Sequence, residues 1–232
     1  MSLIDLVKDS IALLFPELCI GCNRNLVKQE KYLCLNCSYD LPVTNYHLDS
    51  DSLIDRRLKA RLPLAKVSAY LYFTGGSRVQ RIIHHIKYQN GFALARFLGQ
   101  RYGEIVKDSA YFQDIDVIVP VPLHKKRQRQ RGYNQSEYIA HGLSEVLGAQ
   151  VSTGNLIRLV HKKSQTKTSG RYERFENMEN MFAIHKPDEF ENKHVLLVDD
   201  VLTTGATLEA CAIALLRVQN IKLSVATLAF TK

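Results

Sequence analysis

Apolar residues follow two rhythms along this chain. In the first half they recur at helical spacing. Residues 1–15 place Leu3, Ile4, Leu6, Val7, Ile11, Leu14 and Phe15 close to a helical period, and Pro16 closes the run. Residues 65–73 are a β-favouring run that Gly75 and Gly76 turn back. Ser77 then caps a helix predicted over about 78–88, with Val79, Ile82, Ile83 and Ile86 on one face; after Asn90-Gly91 a second is predicted over about 92–106. Further on, the apolar runs become short and β-branched, at 115–121, 156–160, 195–198 and 223–228, with helical patterns at 136–147 and 207–218 between them. Strands alternating with helices predict an α/β fold, a mostly parallel twisted sheet flanked by helices.

A polar stretch interrupts this pattern early. Residues 45–55 bring Asp49, Ser50, Asp51 and Ser52 side by side, which reads as a linker. The predicted organisation is an N-terminal helix and four-cysteine module over 1–45, a linker over 46–62 and a larger domain over 63–232. A length of 232 residues accommodates one substantial core with a small module beside it. Hydrophobic residues at 46% and charged residues at 23% exclude wholesale disorder and a fibrous design. The apolar stretch 11–15 is far shorter than the roughly 20 residues a bilayer requires. No membrane span or secretory signal is expected, and the expected location is the cytoplasm.

Residues 195–207 carry the most specific chemistry. Val195-Leu196-Leu197-Val198 has the pattern of a buried strand and runs directly into Asp199-Asp200-Val201-Leu202-Thr203-Thr204-Gly205-Ala206-Thr207, ahead of a helix. At the carboxyl end of a parallel strand, a turn into a helix exposes unpartnered amide groups that hold an anion. Gly205 permits close backbone approach, while the hydroxyls of Thr203, Thr204 and Thr207 can donate to phosphate oxygens. Adjacent carboxylates would repel that anion unless they faced elsewhere, and ionised carboxylates match vicinal sugar hydroxyls. Asp199 and Asp200 therefore read as ribose ligands; the plainer alternative makes them loop caps and the threonines a helix start.

The net charge of +8, from 31 basic and 23 acidic residues, matters only where it clusters. One cluster follows the strand at 115–121: Lys125 to Arg131 hold five cations in seven residues, either a solvated loop or a pyrophosphate-binding turn at the edge that carries the ribose loop. A second, 161–177, is basic and nearly devoid of apolar residues, as suits a surface loop or a lid closing over a polyanion.

Four of the five cysteines form two C-x-x-C knuckles, Cys19/Cys22 and Cys34/Cys37, eleven residues apart. Four thiolates so spaced can close a tetrahedral shell around a structural Zn²⁺; disulfides are the alternative, disfavoured without a secretion signal. Cys211, alone in an apolar helix pattern, reads as a small buried hydrophobe.

Residues 195–207 resemble the 5-phosphoribosyl-1-pyrophosphate (PRPP) signature of type I phosphoribosyltransferases at every position. Together with residues 81–88, 120–136 and the cysteine module, they make the chain similar to the ComF family, which includes ComFC and GntX-like proteins. The resemblance implies a type I phosphoribosyltransferase-like domain behind an N-terminal zinc ribbon, in a cytoplasmic protein of DNA uptake in natural transformation. It implies PRPP or a related ribose phosphate as ligand, with Mg²⁺, and single-stranded DNA and DNA-uptake machinery proteins as partners. It implies that Asp199 and Asp200 meet the ribose hydroxyls and that Thr203, Thr204, Gly205, Ala206 and Thr207 cradle the 5-phosphate. By the same analogy the turn from Val121 and Pro122 to Arg131 holds pyrophosphate, Arg171 belongs to a catalytic loop, and Lys87 is a further phosphate ligand. Two functions follow: a phosphoribosyltransferase acting on an unidentified acceptor, or a non-catalytic module that binds PRPP or a nucleotide and single-stranded DNA.

Overall fold

The computed structural model describes residues 16–159 and 181–231. The helix expected over 1–15 and the basic stretch 161–177, with Arg171, lie outside the described residues. Strands β1 (Lys66–Phe73), β2 (Val117–Pro120), β3 (Gln150–Val151), β6 (His194–Leu202) and β7 (Lys222–Thr231) form one five-stranded sheet in the order β1-β7-β6-β2-β3. Every pairing in it is parallel, so the expected mostly parallel sheet is present. The run at 156–160 differs from expectation. Its residues form β4 (Leu156–Arg158), which pairs antiparallel with β5 (Phe182–Ile184) in a separate two-stranded sheet.

Helices cover both faces of the main sheet because its central strand is apolar on both. Residues 195–198 are fully buried, and their side chains alternate between two cores. Leu196 and Val198 share a core with α3 (Arg78–Tyr88), α4 (Phe92–Val106) and α6 (Gln135–Leu147). Val195 and Leu197 face α2 (Leu53–Lys59) and α7 (Ala206–Leu215). On α3 the Ser77 hydroxyl accepts from the Gln80 amide, the predicted cap, and Val79, Ile82, Ile83 and Ile86 form the buried stripe. Helices α4 and α6 cross where Gly99 faces Gly142; a Cβ on Gly142 would stand 2.1 Å from the Arg96 carbonyl oxygen.

The segment expected as a linker is packed. Ser52 caps α2 through the Asp55 amide, and Ile54 and Leu58 are buried, each contributing on the order of 2 kcal/mol relative to exposure. Asp55 is buried too, because the buried Lys66 ammonium reaches its Oδ2 while the Val67 amide donates to its Oδ1 at 2.9 Å. The polar sequence therefore conceals an ion pair, rather than marking a solvated tether. Residues 42–44 run antiparallel beside β1, and Leu33, Cys34, Leu41 and Cys37 of the short helix α1 (Leu35–Tyr39) join the core that contains α3.

Candidate functional site

The signature stretch is divided differently from its expected strand and loop. Strand β6 continues through both acids to Leu202, pairing with β7 as far as Phe230. Successive strand residues point to opposite faces, so Asp199 and Asp200 diverge. Ser136, on the first turn of α6, donates its hydroxyl to Asp199 Oδ1 at 2.9 Å, and the Asp200 amide donates to the same oxygen at 2.8 Å. Asp200 Oδ2 lies 3.1 Å from Lys87 Nζ on α3. Burial, then the neighbouring Asp200 charge, pushes the Asp199 acid up to about 7.

Gly205 follows at φ +85°, and its Cα side abuts Leu58: an added Cβ would lie 3.0 Å from Leu58 Cδ2. That left-handed residue starts α7 and leaves Thr203, Thr204 and Ala206 exposed beside the helix's first amides. Thr203 and Thr207 line an open cleft of about 390 Å³.

This cleft lies over the carboxyl ends of the sheet, bordered by Phe73 of β1, Thr231 of β7, Asp199 to Val201 of β6, and Val121 and Pro122 past β2. One wall is α3, through Gln80, Ile83, His84, Lys87 and Tyr88. The other carries Arg127, Arg131 and Arg158. Most of the basic run is a short helix, α5 (Lys125–Arg131), instead of a loop: His124 caps it from its Nδ1, and Gly132 ends it at φ +80°. None of its residues is buried. Asn134 anchors the turn, donating to the Val121 carbonyl at 3.0 Å and capping α6. Two contacts tie the turn to α3: the Tyr133 hydroxyl donates to the Ile86 carbonyl, and the Arg131 guanidinium stacks 5.3 Å from the Tyr88 ring centre.

The cleft thus brings together Asp199, Asp200, Thr203, Thr207, Val121, Pro122, Lys87 and Arg131. Thr204, Gly205 and Ala206 form the turn beside it without lining it, and Arg171 is outside the described residues. Sequence reasoning overlooked Ser136 and Arg158. Ser136 followed directly on the basic stretch and Asn134, a signal that was available; Arg158 enters from the small sheet, beside the Phe182 ring, with no motif around it.

The cysteine sulfurs of Cys19, Cys22, Cys34 and Cys37 converge within 4.8 Å of one another and can hold a metal ion. The Arg24 guanidinium, donating to Cys34 Sγ at 3.2 Å, pulls the Cys34 thiol down to about 6, while burial pushes Cys37 up. Gly21, between the first two cysteines, offers its carbonyl to Arg81 Nε of α3 at 2.8 Å, so the module is fastened to the wall of the cleft.

Comparison with known proteins agrees with this architecture. The phosphoribosyl transferase domain family matches residues 134–231. A DNA utilization protein, YhgH, of Salmonella typhimurium is 30% identical over 211 residues, 89% of this chain and 87% of its own length. Competence protein ComFC of Bacillus subtilis is 27% identical over 218 residues, 91% of this chain and 84% of its own. Competence protein F of Haemophilus influenzae is 34% identical over 131 residues, 55% of this chain, and the match spans 57% of that relative. A glutamine PRPP amidotransferase of Bacillus subtilis overlays 62% of this chain and 30% of its own at 17% identity, with a TM-score of 0.43. Fold and cleft define an α/β protein with a phosphoribosyltransferase-type domain and a four-cysteine module. The chain belongs to the ComF family.

Proposed function

We propose that this protein binds PRPP with Mg²⁺ and transfers its phosphoribosyl group to an acceptor, in the cytoplasmic handling of DNA taken up by the cell. The observation that carries the reading is the convergence, in one open cleft, of the paired acids of β6, the hydroxyls at the start of α7 and the arginines beyond β2. The 5-phosphate would sit against Thr203, Thr207 and the first amides of α7, with Thr204, Gly205 and Ala206 shaping that turn. Ribose hydroxyls would donate to Asp199 and Asp200, and pyrophosphate would meet Arg127 and Arg131 on the turn that Val121 and Pro122 begin. Arg171 would add a further cation to the pyrophosphate. In the transfer, an electron pair of the acceptor forms a bond to the anomeric carbon. The carbon–oxygen bond to pyrophosphate breaks, and its pair departs on pyrophosphate.

The residues fit a divalent cation. Asp200 has Lys87 as its ion-pair partner, whereas the adjacent Asp199 has none among the described residues, and burial together with the Asp200 charge raises its acid. Asp199 and Asp200 would hold Mg²⁺ together with substrate oxygens; when bound, it supplies countercharge to the pyrophosphate. The cysteine cluster fits structural zinc. A tetrahedron with about 2.3 Å metal–sulfur bonds has edges of about 3.8 Å, and Cys22 Sγ lies 3.7 Å from Cys34 Sγ.

Calorimetric titration with PRPP and Mg²⁺ tests the binding, and pyrophosphate release tests the transfer. Both are expected to disappear on Asp199→Ala plus Asp200→Ala. A cleft that takes up no PRPP refutes the proposal.

A second reading has its own support. Lys125 of α5 and Arg158 border a further groove of about 360 Å³, lined also by His124, Gln128, Glu137 and Ile157, and the exposed cations of α5 around it suit the backbone of single-stranded DNA. Relatives named for competence and for DNA utilization favour a role beside DNA-uptake machinery proteins. DNA binding that survives loss of the two acids and falls steeply with salt would favour this module without turnover.

A further inference from the structure

We infer that Arg81 couples the cysteine module to the phosphoribosyl cleft: a metal ion held by the four cysteines fixes α3 through this one side chain, and so sets the affinity of the cleft for its ligand. This rests on the reading of the main cleft as a phosphoribosyl site and adds a regulation of that site. Arg81 is a positioning residue, since it does not line the cleft.

Helical spacing divides α3 among three neighbours. Val79, Ile82, Ile83 and Ile86 enter the core. Gln80, His84 and Lys87 line the cleft, and Lys87 Nζ stands 3.1 Å from Asp200 Oδ2. Arg78 and Arg81, one turn apart, face the cysteine module instead. Arg78 Nη1 lies 3.1 Å from Asp40 Oδ2 at the end of α1, while Arg81 donates from both Nε and Nη2 to the Gly21 carbonyl. The first contact is an exposed ion pair and holds little, so the two-pronged grip of Arg81 dominates. The other end of α3 is held by the basic turn, through Tyr133 on the Ile86 carbonyl and Arg131 over Tyr88. The helix is thus a bar between module and turn, with Lys87 about 9 Å along its axis from Arg81.

What Arg81 grips is placed by the sulfurs. Gly21 separates Cys19 from Cys22 and is buried against the cluster: an added Cβ would lie 2.9 Å from Cys37 Sγ and 3.6 Å from Cys19 Sγ. Any change in sulfur spacing therefore presses directly on the Gly21 backbone. Four thiolates bound to one ion keep that spacing fixed; without the ion they repel one another, and Cys22, the exposed member, is the one that can swing outward. The Gly21 carbonyl then loses its place, the guanidinium loses its acceptor, and α3 can turn Lys87 away from the acids of β6. Metal and phosphoribosyl ligand each favour the clamped arrangement, and linkage requires each to raise the affinity of the other by the same factor.

Full-length protein and its Arg81→Ala variant are prepared with one equivalent of Zn²⁺ and after removal of the metal under reducing conditions. PRPP with Mg²⁺ is titrated by calorimetry, Zn²⁺ affinity is measured against a zinc-selective indicator with and without PRPP, and amide exchange is followed across α3 and α6. In the unsubstituted protein, metal removal is expected to weaken PRPP binding at least about fivefold, the lower end of ordinary allosteric coupling, and PRPP is expected to tighten Zn²⁺ by the same factor. Arg81→Ala is expected to keep its equivalent of Zn²⁺, to bind PRPP as weakly as the metal-free protein, and to lose the linkage. Amides of α3 are expected to exchange several-fold faster in both altered forms, with those of α6 unchanged. Faster exchange in α6 as well marks general unfolding of the metal-free form, and the metal-loaded variant then decides. PRPP affinity indifferent to the metal, linkage that persists in Arg81→Ala, or exchange in α3 that neither change accelerates overturns the inference. A metal-loaded protein that takes up no PRPP sinks the phosphoribosyl reading instead, and exchange across α3 still decides the clamp.

Discussion

Replacing Asp199 by Asn is expected to stabilise the ligand-free protein while abolishing PRPP binding. The amide retains an oxygen to accept from Ser136 and from the Asp200 amide, so both hydrogen bonds survive and only the charge is lost. Asp199 titrates near 7 in the fold, raised by burial and by Asp200 from an ordinary value of 3.8. Between about pH 4 and 7 the folded chain therefore holds more protons than the unfolded one, and this group's contribution to stability falls as pH rises. Above about 7 both states are ionised and the slope vanishes. Each pH unit in the sloping range is worth about 1.4 kcal/mol, so the advantage of the Asn variant should grow by about 3 kcal/mol from pH 5 to pH 7 and then level off. For a domain of this size that corresponds to a relative gain of roughly 5 to 10 °C in unfolding midpoint. Urea unfolding of both proteins without PRPP or added Mg²⁺, at half-unit steps from pH 5 to 8.5, reads the difference directly, and titrating groups not coupled to Asp199 cancel in it. A difference that is constant with pH, or that shrinks as pH rises, refutes the assignment of a buried, like-charged pair.

Further perturbations probe other parts of the structure. Cys34→Ser is expected to lower bound metal at least tenfold from one equivalent per chain and to depress the thermal midpoint, read by elemental analysis and calorimetry; an unchanged metal content contradicts a four-thiolate site. Gly142→Ala would place a Cβ 2.1 Å from the Arg96 carbonyl oxygen and is expected to cost on the order of 3 kcal/mol in urea unfolding; Gly132→Ala, with nothing within 4 Å but a φ of +80°, is expected to cost about 1 kcal/mol. His194 is held below its ordinary value by burial, against the pull of Asp114, so its contribution to stability is complete above about pH 6.5 and is lost as pH falls below that. His194→Gln is expected to flatten the acid side of the stability profile, since the neutral amide cannot gain a proton.

What the sequence made legible depended on whether a feature is local in the chain. Residues 195–198 could be read as a buried parallel strand because a strand covered on both faces is apolar at every position. Its continuation to Leu202 could not, since Asp199 and Asp200 look like loop residues until the pairing with β7 is seen. The same blindness made a linker of α2: Asp49 to Ser52 are polar, and nothing near them in the chain announces Lys66, whose burial against Asp55 makes that segment part of the core. Capping chemistry was the clue passed over in the basic run, where His124 and Gly132 bound a helix among residues whose charge suggested only a loop. The site divides along the same line. Its acids and hydroxyls lie within one stretch at the end of one strand, so their pattern is visible before folding. Its walls come from α3, the basic turn and the small sheet, brought together by crossovers and by side chains such as Tyr133. The acids and hydroxyls can be read from a motif, because one strand end builds them; the walls of the cleft are assembled from segments far apart in the chain, and become legible only as the space between them.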